Sequence, residues 1–266
     1  MENIELIKAA VFDVDGTLYD YRTGRVLPSS ITATRALRAK GCLIIVATGR
    51  TKVMLCRDVT ESIAPDYYIL SNGALIADQH DLCISSKTFS KKDTQLLVDL
   101  TGQYNGAMVL KYADRNCIYY DYDAGCRLWD VGPGMDAQCT YLDRERKTHK
   151  KRLPVGISIY GNTQLNCCIR EYFPTDLFHD GNGFDVMRSG VHKMAALNLL
   201  LRKLRLRARN IIAFGDSTND MEMICQAGIG VAMGNASDSL KETADYVADC
   251  SWDDGIAKTL RTLKLI

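Results

Sequence analysis

The stretch Ala9-Ala10-Val11-Phe12-Asp13-Val14-Asp15-Gly16-Thr17-Leu18 constrains the fold more than any other part of this chain. A continuous apolar run that stops at a turn reads as a strand covered on both faces, the kind found in parallel sheets. Two aspartates at its carboxyl end repel each other, and both favour ionisation at pH 7 from a reference pKa of about 3.9. Such a pair calls for a compensating cation. Gly16 frees the turn and lets backbone N–H groups approach an anion, and Thr17 adds a hydroxyl donor. Taken alone, D-x-D-G-T after a strand fits a calcium loop or a polar turn as well as a nucleophilic carboxylate beside a phosphate cradle.

Three more segments narrow the choice. Ile44-Ile45-Val46-Ala47 is a second apolar strand, ending at Thr48-Gly49-Arg50. Ile211-Ile212-Ala213-Phe214 is another, ending at Gly215-Asp216-Ser217-Thr218-Asn219-Asp220. Between them Gly190-Val191-His192-Lys193 opens a helical stretch with a lysine in its first turn. With these residues in this order, the chain resembles the haloacid dehalogenase-like (HAD) superfamily of phosphohydrolases, most closely its Cof-type branch with a large α/β cap. The two ends of the chain match by motif, the middle third by position and size. One departure is Met194, which follows the lysine where that branch commonly has glycine.

The resemblance implies an α/β fold: a doubly wound parallel sheet formed by residues 1–77 and 186–266, with a cap inserted over 78–185. The strands ending at Asp13 and Asp216 would be neighbours, with Thr48 on the next strand, and ligands bind at such a switch point. Asp13 is the implied nucleophile and Asp15 the acid–base. Asp13, Asp216 and the backbone carbonyl of Asp15 would hold a cation; Mg²⁺ is expected, because the donors are hard oxygens and no His/Cys cluster exists. Thr48, Gly49, Lys193 and Asn219 would contact phosphate or substrate. Asp220, Arg50 and Asn72 would support them, Asp220 by orienting Lys193 or by completing the metal shell. Helix spacing points His192 elsewhere, so it is given no chemical role.

The implied activity is phosphomonoester hydrolysis on a small phosphorylated metabolite, such as a sugar phosphate, through an aspartyl-phosphate. A phosphomutase or phosphotransferase using the same intermediate stays open, as does a non-catalytic phosphosugar-binding module. A net charge of +1 gives no reason to expect nucleic acid or an anionic membrane surface as partner. The first residues lack a leader's basic and apolar regions, and no apolar run approaches the ~20 residues that span a bilayer. A cytoplasmic monomer or small homo-oligomer is expected. The ten cysteines are scattered without a C-x-x-C pair, so they read as buried or reduced thiols rather than a zinc site.

Periodicity and turn signals predict helices over 28–40 and 52–63, strands over 42–47 and 67–70, and, after residue 193, alternating helices and strands with two final helices flanking Tyr246-Val247. The intervening segment reads as a separate α/β unit: a hairpin over 74–88, a Ser90-capped helix to 105, strands within 108–122, 154–160 and 184–187, and a helix over 163–173. The basic run Arg144–Arg152 reads as a solvated helix end or as a surface that attracts anions.

Overall fold

All four side chains of Ala9–Phe12 are buried, and alternate ones enter different cores. Ala10 and Phe12 join one cluster; Ala9 and Val11 join the other. That two-sided burial is why the run carries no polar residue. The computed structural model describes residues 6–120, 140–177 and 183–266 and places this strand inside an eight-stranded sheet. The chain start, read above for a leader, and residues 121–122, expected to finish a strand, lie outside the described residues.

The spatial order is Tyr246–Val247, Ile229–Ala232, Ile211–Gly215, Ala9–Phe12, Leu43–Ala47, Tyr67–Leu70, Leu75–Asp78 and Cys83–Ser86. The first six are parallel; Leu75–Asp78 runs antiparallel to them, and Cys83–Ser86 pairs antiparallel with Leu75–Asp78. Helices Pro28–Ala39 and Gly255–Thr262 cover one face through Ala33, Leu37, Ile256 and Leu260. Helices Lys193–Lys203, Met221–Gln226 and Asp238–Thr243 cover the other through Leu197, Leu200, Ile224 and Leu240. Met194, the departure from the family pattern, is buried in that second cluster, so the larger side chain is used in packing.

A second sheet of six strands runs in the order Thr140–Leu142, Asn116–Tyr120, Ala107–Lys111, Gly156–Tyr160, Gly183–Val186 and Thr175–Leu177. It has its own core, including Leu97, Met108, Leu110, Ile157, Ile159 and Phe184. The helix Lys91–Gln103 begins as expected, with the Ser90 hydroxyl accepting from Asp93 N at 3.0 Å.

Two expectations change. The hairpin after residue 74 extends the larger sheet, because Leu75–Asp78 pairs with Tyr67–Leu70 and Cys83–Ser86 pairs with it in turn. Residues 78–86, assigned above to the inserted unit, therefore belong with the larger sheet. The helix expected over 52–63 is broken into a 3₁₀ turn, Lys52–Met54, and a wide helical segment, Asp58–Ile63. Arg50 takes the Met54 carbonyl at 2.9 Å, an acceptor that a continuous helix would have used itself.

Candidate active site

The strands ending at Asp13, Asp216 and Thr48 are neighbours, with Ala9–Phe12 in the middle. Phe12 stacks on Phe214 with ring centroids 5.1 Å apart, and Asp13 N donates to the Phe214 carbonyl at 3.0 Å. These contacts fix the two acidic strand ends side by side. Gly16 sits at φ +78°, where a Cβ would lie 2.2 Å from Asp216 Oδ2. The turn can close on Asp216 only because no side chain is there. Thr17 donates from its hydroxyl to Asp216 Oδ1 at 3.2 Å.

Lys193 reaches this point from the first turn of the Lys193–Lys203 helix, and is 1% exposed. Its Nζ donates to Asp13 Oδ1 at 2.6 Å, Asp220 Oδ1 at 2.7 Å and Asn219 Oδ1 at 3.1 Å. Burial alone would lower its pKa, but Asp13 and Asp220 hold it above the usual lysine range. Asp220, through its other oxygen, accepts from Asp216 N and Ser217 N at 3.1 and 3.2 Å. It thus orients the lysine and closes its own turn together. His192 caps the helix, with Nδ1 3.3 Å from Ala195 N, and takes no part in the cluster.

Asp15 lies in a different electrostatic setting. Burial would raise its pKa, but the Arg50 guanidinium, donating from Nε at 2.8 Å and Nη2 at 2.5 Å, outweighs it. The Tyr21 hydroxyl adds a third bond at 2.8 Å, and together they hold the carboxyl below the usual range. Thr48 is fully buried and accepts from Arg50 N at 3.1 Å, so its hydroxyl closes the turn that carries the arginine. Asn72, in the left-handed region at φ +54°, accepts from Asn219 Nδ2 at 3.1 Å. Gly49 lies against it: a Cβ there would be 3.2 Å from the Asn72 amide.

Asp13, Asp216 and Asp220 offer carboxylate oxygens within 4.8 Å of one another. One ammonium faces these three acids. Burial, only partly offset by Lys193, raises the Asp13 carboxyl well above its usual range. Burial and the neighbouring Asp220 push Asp216 up to about 7. An all-oxygen, under-compensated cluster suits a hard divalent cation.

Tyr21, Asp185 and Lys111 were not legible as site residues. Tyr21 belongs to the chain beyond the Tyr19–Asp20 strand, and the other two arrive from the smaller sheet, so no local motif marks them.

The haloacid dehalogenase-like hydrolase family matches residues 10–260. The chain belongs to it. The 5-amino-6-(5-phospho-D-ribitylamino)uracil phosphatase of Bacillus subtilis is 30% identical over 96% of this chain and 95% of its own length. The solved structure of BT1666, a HAD phosphatase from Bacteroides thetaiotaomicron, superposes with a TM-score of 0.84 at 26% identity, covering 98% of this chain and 96% of that one. The HAD subclass IIB sugar phosphatase BT4131 gives a TM-score of 0.86 at 23% identity, over 97% and 100% of the two chains, and so shares the fold. The protein is a HAD-type phosphatase, and no helix among its described residues is long and apolar enough to cross a membrane.

Proposed function

We propose that the protein is a Mg²⁺-dependent phosphomonoesterase that hydrolyses a small phosphorylated metabolite through a phosphoryl group carried on Asp13. The observation that carries this reading is the meeting of Asp13, Asp216 and Asp220 with the buried Lys193 at the sheet's switch point. The relatives' printed activities, on a phosphoribitylamino-uracil and on sugar phosphates, agree with a small polar leaving group.

Asp13 and Asp216, with the Asp15 backbone carbonyl, would hold the cation, whose chemistry when bound is to neutralise charge between Asp13 and a dianionic ester. The Asp13 carboxylate attacks phosphorus, forming an acyl phosphate as the P–O bond to the leaving group breaks. Lys193, Asn219 and the Thr48 hydroxyl hold the phosphoryl oxygens, and Asp220 keeps the lysine aimed. Asp15 gives a proton to the departing alkoxide. It then takes one from the water that attacks phosphorus and frees Asp13. For the first step Asp15 must carry a proton, so the Arg50 fork gives way as the ester enters.

The unit built on the smaller sheet acts as a cap that closes on the leaving group and sets specificity. Phosphate release from a panel of metabolite monoesters tests the reading. Turnover that stops on exhaustive chelation and returns with Mg²⁺ is expected; full activity after chelation contradicts the cation's place.

A further inference from the structure

A hydrogen-bonded chain crosses from the smaller sheet to the phosphate-handling lysine. Asp185, on the Gly183–Val186 strand, accepts from Asn72 Nδ2 at 3.0 Å. Asn72 Oδ1 accepts from Asn219 Nδ2 at 3.1 Å, and Asn219 Oδ1 accepts from Lys193 Nζ at 3.1 Å. The two ends determine the direction of every link. A carboxylate only accepts and an ammonium only donates, so each amide between them has one allowed orientation. All four side chains lie at the junction of the two sheets, and Asp185, Asn72 and Lys193 are buried.

Asp185 is itself held from behind. Its Oδ1 accepts from Lys111 Nζ at 2.8 Å and from the Ser158 hydroxyl at 2.5 Å. Lys111 also donates to the Gly49 carbonyl at 3.2 Å, tying the same strand assembly to the loop after Thr48. On the other side, Ser71 and Asn72 stand consecutively in the left-handed region at φ +49° and +54°. Backbone of that kind persists only where its surroundings over-determine it. Here it turns the Asn72 amide between the two sheets.

We propose that Asp185 is a positioning residue for phosphoryl transfer: through Asn72 it sets the orientation of Asn219, and with it the aim of Lys193. The docked smaller unit thereby completes the phosphate-holding group on the larger sheet, in addition to meeting the leaving group. This role rests on the phosphatase reading given above. It predicts an effect independent of the leaving group, because the chain ends on phosphate-handling residues and not on Asp15.

The test is an exchange of partners. Asp185→Asn removes the acceptor-only end, and Asn72→Asp puts a carboxylate against Asp185. The double variant restores a consistent direction. The amide introduced at position 185 would donate to the carboxylate introduced at position 72, which would still accept from Asn219. Aspartate also tolerates the left-handed backbone at position 72. Each single change is expected to lower kcat about ten- to a hundredfold, the scale for groups that orient a ligand side chain. The loss should be equal on an aryl and an alkyl phosphate, and inorganic phosphate should bind more weakly as a product inhibitor. The exchanged pair should recover to within about fivefold of wild type. Should Asp185→Asn not fold, Asn72→Ser, which leaves Asp185 paired with Lys111, is expected to show the same uniform loss. Folded single variants with wild-type kcat and phosphate affinity, losses that merely multiply in the double, or losses confined to one ester class overturn the proposal. A wild-type protein that turns over no ester overturns the phosphatase reading and this role with it.

Discussion

Asp13 and Asp15 are two residues apart, yet their surroundings push them in opposite directions. Burial with a shared lysine raises the one, and the Arg50 fork lowers the other. Asp13 needs its charge to attack and Asp15 needs a proton to give, so a cation at the acidic cluster would lower the first, and release from the Arg50 fork as the ester enters would raise the second. Asp13→Asn keeps the volume and removes the attacking charge, so turnover is expected to fall at least about a thousandfold with the melting temperature little changed. Retention of a tenth of the activity in a clean preparation would exclude Asp13 as nucleophile. Asp15→Asn should hurt alkyl esters more than an aryl phosphate, whose leaving group needs little protonation; equal losses would count against the acid role. The acids and Lys193 were readable in the sequence because each sits at a strand end or first helical turn with its own punctuation. Asp220 was left between two roles, and only the structure shows both its oxygens engaged, one on Lys193 and one on backbone N–H groups.

At the level of elements, the basic run Arg144–Arg152 shows how a short turn is held. Asp143 accepts from Lys147 N and Thr148 N at 2.8 Å and from the Thr148 hydroxyl at 2.9 Å, ahead of the Thr148–Lys151 helical turn. Burial would raise its pKa, but these donors hold it below the usual value. A depressed carboxyl contributes stability that is present above its unfolded pKa of about 3.9 and is lost as pH falls through the lower folded value. Asp143→Asn should therefore cost a few tenths of a kcal/mol to about 1 kcal/mol at pH 7, the solvated setting screening the carboxylate, and the gap from wild type should close as pH drops below about 4. Denaturant titrations at several pH values measure this; a gap that widens in acid contradicts it. His149, in the same turn, is buried against Tyr119 and Gln95, with bonds of 2.9 and 3.0 Å. The run is thus not wholly a solvated helix end, and no charge pattern could have said so. The hairpin over 75–86 was legible as a hairpin but not as part of the larger sheet. Alternation reveals a strand's faces, whereas its partner depends on long-range register.

Across the whole molecule, the sheet order was legible in outline because strands covered on both faces leave unbroken apolar runs between helical patterns. The contact between the two sheets was not, since Asn72 and Asp185 are 113 positions apart. The chain leaves the larger sheet after Cys83–Ser86 and returns near Arg188, whose Nη2 donates to the Lys87 carbonyl at 2.9 Å. The two crossing points are therefore adjacent, and replacing residues 88–187 with a short linker should leave a folded larger sheet. That remnant is expected to hydrolyse a small activated ester slowly and to lose discrimination among metabolites. Unchanged preference would place specificity in the loops around Arg50 and Asn72. The central claim, that Asp13 carries the phosphoryl group, is tested most directly by quenching the enzyme with borohydride during turnover and mapping the reduced residue by peptide mass spectrometry. The account predicts conversion of Asp13 to homoserine, dependent on substrate and absent in Asp13→Asn. Turnover with Asp13 unmodified and the phosphoryl group on another side chain would contradict it.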